Sequence, residues 1–237
     1  MALRRDLDQL KLVHDRLPDS MLHGLTRFDF GDEMVQTAFG GATSLMINSR
    51  LNDTDVLELL LRHGADLERV DNDGNTALTS ETCCCMNLST VRFLLDAGAN
   101  VQHRGRWGFN ALHRAAATNS LYPEVIFLLL KHGLDINSAT AGDHTALDLA
   151  ANSGNIRAIK FLLWRGASMA ANNNGDTALI HAARQGHTNV VNFLLNAGTD
   201  PAHVNAAGDN ALDCAQREKR KGVVALLQGM GVKRAKQ

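Results

Sequence analysis

From Gly41 onward, polar turns and paired apolar segments alternate with a fixed period. Leu45, Leu78, Leu112, Leu147, Leu179 and Leu212 follow one another at 33, 34, 35, 32 and 33 residues. Gly64, Gly98, Gly133, Gly166, Gly198 and Gly231 follow at 34, 35, 33, 32 and 33. Such a period marks stacked units, none of which buries a core alone. The fifth unit shows how one is built. Gly175 lies in the polar run Asn172–Asp176 and reads as a turn tip. Thr177 is the predicted N-cap of a short helix that turns Leu179, Ala182 and Ala183 inward. Gly186-His187 breaks that helix, and a second places Val190, Val191, Leu194 and Leu195 at helical spacing. Gly198 ends it in the left-handed conformation usual just past a helix C-terminus.

The corresponding cap positions are Thr43, Thr76, Asn110, Thr145 and Asn210, all good N-cap residues. Six units are therefore expected, at 40–70, 71–103, 104–139, 140–171, 172–203 and 204–237. The last is a C-terminal cap: Gln228 replaces an inward Leu, and its interhelix turn is Glu218-Lys-Arg-Lys221. An open stack needs such a polar outer face. Residues 1–39 are expected to form an N-terminal capping helix and a degenerate segment, with Leu7, Leu10 and Leu17 on one stripe.

The layout resembles the ankyrin repeat. The family pattern is visible in Asp71-Asn-Asp-Gly-Asn-Thr-Ala-Leu78, Asn110-Ala-Leu-His113-Arg-Ala-Ala116 and Leu59-Leu-Leu-Arg-His-Gly64-Ala-Asp66. The resemblance covers residues 41–237. One departure is uniform: the family's Pro is replaced by Ser44, Ala77, Ala111, Ala146, Ala178 and Ala211. Five are strong helix formers, so the fold is expected to stand. The resemblance implies an all-α solenoid of helix-turn-helix units, each with a hairpin-like finger at right angles to two antiparallel helices. It also implies that His113 hydrogen-bonds between loops.

Composition narrows the function. The 237 residues carry a net charge of −1, so no global field draws in nucleic acid or an anionic membrane. No apolar run is long enough to span a bilayer. The first residues carry charge at once and lack the apolar stretch of a signal peptide. Cys83, Cys84, Cys85 and Cys214 offer neither a disulfide framework nor zinc-ligand spacing, which fits reduced thiols in the cytoplasm or nucleus. No Ser/His/Asp set, phosphate-cradling glycine loop or paired catalytic carboxylates are found. The chain is expected to be a non-enzyme without cofactor or metal, acting as an adaptor, scaffold or inhibitor that binds another protein. It is expected to be a monomer.

A solenoid binds with what its packing leaves over. The third finger, Arg104-Gly-Arg106-Trp107-Gly-Phe109, carries large side chains where other fingers carry Asn, Asp or Ala. Trp and Arg dominate interface hot spots. The inner helices are expected to expose Ile47, Arg50, Leu51, Ser80, Arg114, Thr118, Asn152, His181, Arg184 and Arg217. The predicted partner site is therefore Arg104, Arg106, Trp107, Phe109, Arg114, His181 and Arg184. Trp164 is assigned to the opposite, convex face. Two interhelix turns are longer than the rest, with the extra residues within Thr82–Leu88 and Thr118–Pro123. Two other roles fit the resemblance. The stretch Leu129-x5-Asp135-Ile136-Asn137 resembles the motif of the asparaginyl hydroxylase that modifies ankyrin repeats, with Asn137 as the modified residue. The second is an ankyrin effector of a parasite or virus.

Overall fold

The computed structural model describes residues 41–84, 87–118 and 123–235. The N-terminal cap expected over 1–39 lies outside them, as do residues 85–86 and 119–122 of the two long interhelix turns. The described residues form twelve α-helices in six pairs. These are α1 (Ser44–Leu51) with α2 (Thr54–Arg62), and α3 (Ala77–Cys84) with α4 (Leu88–Asp96). Next come α5 (Ala111–Ala117) with α6 (Pro123–Lys131), and α7 (Ala146–Ser153) with α8 (Ile156–Trp164). Last are α9 (Ala178–Gln185) with α10 (Thr188–Asn196), and α11 (Ala211–Arg217) with α12 (Lys221–Gly229). No strand occurs among the described residues; one isolated antiparallel bridge joins Ala139 and Thr145. The chain divides into two compact units, one ending at Arg106 and one beginning at Trp107. The first holds α1–α4 and the second α5–α12.

Each inner helix starts where its cap predicts. The Asn110 side chain accepts from His113 N at 3.0 Å, Thr145 from Asp148 N at 3.3 Å, and Asn210 from Asp213 N at 3.0 Å. Asp148 and Asp213 reciprocate, accepting from the cap N–H at 3.0 and 3.2 Å. Two otherwise orphaned donors are thus satisfied at once, and losing such a cap costs about 1 kcal/mol. The helix before Gly198 ends in a Schellman motif. Gly198 N donates to Leu195 O at 3.0 Å and Thr199 N to Leu194 O at 3.2 Å, with Gly198 at φ 92°.

In the second unit, α5, α7, α9 and α11 pack in succession. Leu112, Leu147, Leu179 and Leu212 are buried, together with the pairs Ala115/Ala116, Ala150/Ala151 and Ala182/Ala183. The small alanines let the inner helices approach closely. The outer helices contribute Val125, Ile126 and Leu129, then Ala158, Ile159 and Leu162, then Val190, Val191 and Leu194. Leu195, expected inward, is only half-buried.

Within each unit the fingers stack through backbone bonds. Arg106 N donates to Asp73 O at 2.9 Å, Ala141 N to Trp107 O at 2.9 Å, and Ala206 N to Asn174 O at 2.8 Å. Gly175 (φ 72°) cannot be replaced cheaply, because a Cβ there would lie 2.8 Å from Asn205 Cα.

Candidate functional site

The third finger makes an unusual turn. Trp107 adopts φ 64°, ψ 14°, and Gly108 follows at φ 73°. Two successive left-handed residues suit a tight reversal, but a bulky non-glycine residue there is strained. The turn is held from the next finger: Trp107 O accepts from Ala141 N, and a Cβ on Gly108 would meet that nitrogen at 2.7 Å. Backbone anchoring thus fixes the turn that carries the indole, while 70% of the residue remains exposed.

Behind it, Phe109 is half-buried and meets the His113 ring edge-on, centroids 6.0 Å apart. The Arg114 guanidinium lies over the Phe109 ring at 5.4 Å. Such a stack contributes about 0.5–1 kcal/mol when partly exposed and orients the cation. His113 is fully buried. Its Nδ1 accepts from Asn110 N at 3.2 Å and its Nε2 donates to Ser138 O at 2.8 Å, so the proton sits on Nε2. This is the inter-loop hydrogen bond that the resemblance implied. Arg104 and Arg106 belong to the first unit. Both are exposed, and Arg106 pairs with Asp73 at 3.1 Å.

His181 and Arg184 occupy a different environment from the one expected. His181 is buried, 5% exposed, with His144 edge-on at 5.1 Å. Its Nε2 has no hydrogen-bond partner. Burial pulls its pKa down to about 4; the Asp176 charge opposes this, and His144 and Arg184 assist it. A buried neutral imidazole cannot greet a partner, so its assignment to the binding surface is corrected. Ser80, expected on the same strip, is buried too and accepts from Arg50 Nη2 at 2.9 Å.

Arg184 is half-buried and committed to the fold. Its Nη2 reaches both Asp176 oxygens at 3.0 Å, and Asn205 Nδ2 donates to the same carboxylate at 2.7 Å. Burial alone pushes the Asp176 carboxyl up. The Asn205 and Arg184 hydrogen bonds and the Arg184 charge outweigh it, leaving the pKa below the ordinary range. The expectation that the fold does not need Arg184 is therefore corrected.

The sequence carries a signal for this tie that residue-by-residue inspection missed. Asp176 directly precedes its helix cap and Arg184 lies eight residues on; Asp209 and Arg217 repeat that relation and form an ion pair. In the third unit the same two positions hold Phe109 and Ala117, and in the fourth His144 and Asn152. Asp and Arg occur together or not at all from the second unit onward.

Asn137 is exposed, yet its Oδ1 accepts from Ser168 N at 2.8 Å and so ties one hairpin turn to the next. Among the described residues no group of His, Cys, Asp or Glu is placed to hold a metal ion. No helix there is long and apolar enough to cross a membrane.

A family model described as "Ankyrin repeats (3 copies)" matches residues 19–105, 45–140, 82–173 and 147–235. Among curated relatives, a Transient receptor potential cation channel subfamily A member 1 homolog of Caenorhabditis elegans is 26% identical over 71% of this chain and 14% of its own. The Ankyrin repeat and KH domain-containing protein mask of Drosophila melanogaster is 39% identical over 44% of this chain and 3% of its own. A B-cell lymphoma 3 protein homolog of Mus musculus is 28% identical over 74% of this chain and 39% of its own. The chain thus spans well under half the length of each of these relatives. Family matches over most of the chain, on paired helices with capped inner rows and stacked fingers, place this protein in the ankyrin-repeat family.

Proposed function

We propose that this chain is a non-catalytic adaptor or scaffold, monomeric, that holds a protein partner on Trp107, Phe109 and Arg114. Ankyrin repeats generally mediate protein–protein interaction. One observation carries the choice of site: a tryptophan held in a strained left-handed turn by backbone bonds and still 70% exposed. A preorganised indole loses little entropy on association, and Phe109 presents Arg114 beside it. Capture of partners from lysate by wild type and by a Trp107→Ala/Arg114→Ala double variant, with mass spectrometry, tests the reading. Partners lost from the variant are expected. Equal recovery by both proteins rules this site out.

Exposure of Asn137 supports a second reading, as substrate of an ankyrin-directed asparaginyl hydroxylase. A one-oxygen mass increase on the Asn137 peptide after incubation with such an enzyme is the expected result. An unmodified peptide refutes it.

A further inference from the structure

The outer helices of the second unit pack inward through Val125, Ile126, Leu129, Ala158, Ile159 and Leu162. Their aromatic residues are less buried: Phe161 and Phe193 are half-buried. Phe127 on α6 is 44% exposed, and Trp164 at the end of α8 is 75% exposed. Phe161 lies against Trp164 with ring centroids 5.7 Å apart. The Arg165 guanidinium bridges the two helices, 5.3 Å from the Phe127 ring and 5.8 Å from Trp164. One turn along, Lys160 Nζ sits 5.4 Å from the ring of Phe193 on α10. Aromatics are only 5% of the chain, so four on one outer face form a patch and not a scatter.

Beside this ladder runs an open groove of about 510 Å³, lined by Pro123, Glu124, Arg157, Lys160, Phe161 and Trp164. Arg157, Lys160 and Arg165 form no ion pair with a carboxylate among the described residues. Arg184, Arg217 and Arg234 of the same unit, by contrast, are each tied to an aspartate. The outer face therefore combines an apolar floor with uncompensated positive charge, on a chain whose net charge is −1.

We propose that this face is a second docking surface, for an acidic segment of a partner protein that also carries apolar side chains. Leu or Phe side chains of such a segment fill the groove against Pro123, Phe161 and Trp164. Its carboxylates meet Arg157, Lys160 and Arg165, and the aromatic rings already hold the last two in place. Nucleic acid fits less well. Its affinity comes mainly from many phosphate contacts, and here two cations, Arg157 and Lys160, line a groove that the Glu124 carboxylate also lines. This surface is independent of the Trp107 finger, and occupation of both would let the chain bridge two proteins.

The test uses the whole chain and a fluorescein-labelled peptide of alternating Glu with Leu and Phe, followed by anisotropy. Trp164→Ala and the Arg157→Glu/Lys160→Glu pair are each expected to weaken binding at least about tenfold. Raised salt should weaken it as well. Lys221→Glu, a charge reversal on exposed α12, should change it less than about twofold. Circular dichroism melts of all variants establish that they are folded. Four outcomes overturn the proposal: no binding of the Glu peptide, binding insensitive to Trp164→Ala and the charge reversal, equal binding of a peptide with Lys in place of Glu, or preferential capture of oligonucleotide or phosphatidylserine vesicles by the same residues.

Discussion

The third repeat and the fifth differ at the residue before the helix cap, and with it in how a cation is held. In the fifth, the residue before the helix cap is Asp176, and its carboxylate captures Arg184. In the third, that position is Phe109, and the nearby cation, Arg114, lies over its ring. Carboxylate in the fifth repeat and phenyl in the third thus meet a cation in two ways, by an ion pair and by a ring face, and the two cations stand at different helix positions: Ala117 occupies the place of Arg184 in the third. The general lesson is that an arginine on a repeat surface cannot be assigned to binding by its type. Its role depends on whether the adjoining finger brings a carboxylate to it.

The comparison presumes that both repeats stand on equally firm cores. Leu112, beneath the third finger, and Leu179, beneath Arg184, are both fully buried. Each Leu→Ala change should cost about 2–5 kcal/mol in urea melts, by lost transfer energy and the cavity left behind. Losses that differ by more than about 2 kcal/mol would mean unequal scaffolds, and the surface contrast would lose its footing.

His181 gives the next largest effect. Its folded-state pKa of about 4 lies below the ordinary 6.5, so between those values the unfolded chain binds the extra proton and the native one does not. Stability contributed here is complete above pH 6.5 and falls by about 2–3 kcal/mol as pH drops toward 4. His181→Leu should flatten that slope relative to wild type. Taking the difference between the two proteins cancels Glu81 and Asp148, whose carboxyls burial pushes up. Parallel pH profiles would show that the imidazole titrates as it does in water. Asp176, with its lowered pKa, adds stability that is lost only in more acid solution, below the ordinary carboxylate range.

Asp176→Ala should cost about 1–3 kcal/mol of stability, because it strands the half-buried Arg184 and the Asn205 amide. Trp107→Ala should change stability by less than about 0.5 kcal/mol, since its backbone and not its ring holds the turn. A stabilised Trp107→Gly variant, by about 0.5–1 kcal/mol, would confirm that the indole is kept at a conformational cost.

Much of the fold was legible because it is written locally. A cap is one residue against a helix three residues on, and a terminal glycine reads its own φ, so Asn110, Thr145 and Gly198 could be placed without neighbours. The inner Leu and Ala rows follow from periodicity in the same way. The site was less legible because it is decided between repeats. His181 is enclosed by groups from adjoining repeats, among them His144, which no pattern within one unit reports. Arg184 was misassigned because its partner lies in the finger, outside the helix whose exposed face was being read. The left-handed turn at Trp107 escaped because tryptophan carries no turn signal; only the following Gly108 hinted at it. The outer aromatic face was visible only as an isolated Trp164, since Arg165 joins it to Phe127 across two helices.

The central claim is that the third finger binds while the Asp176–Arg184 pair holds the fold. Isothermal titration of the captured partner against Trp107→Ala/Arg114→Ala and against Arg184→Ala, with urea melts of the same proteins, separates the two roles most directly. The account predicts that the double variant loses at least about 2 kcal/mol of affinity with little loss of stability. It predicts that Arg184→Ala loses about 1–3 kcal/mol of stability and less than about 0.5 kcal/mol of affinity. The reverse pattern, with affinity lost at Arg184 and kept without Trp107 and Arg114, would contradict it.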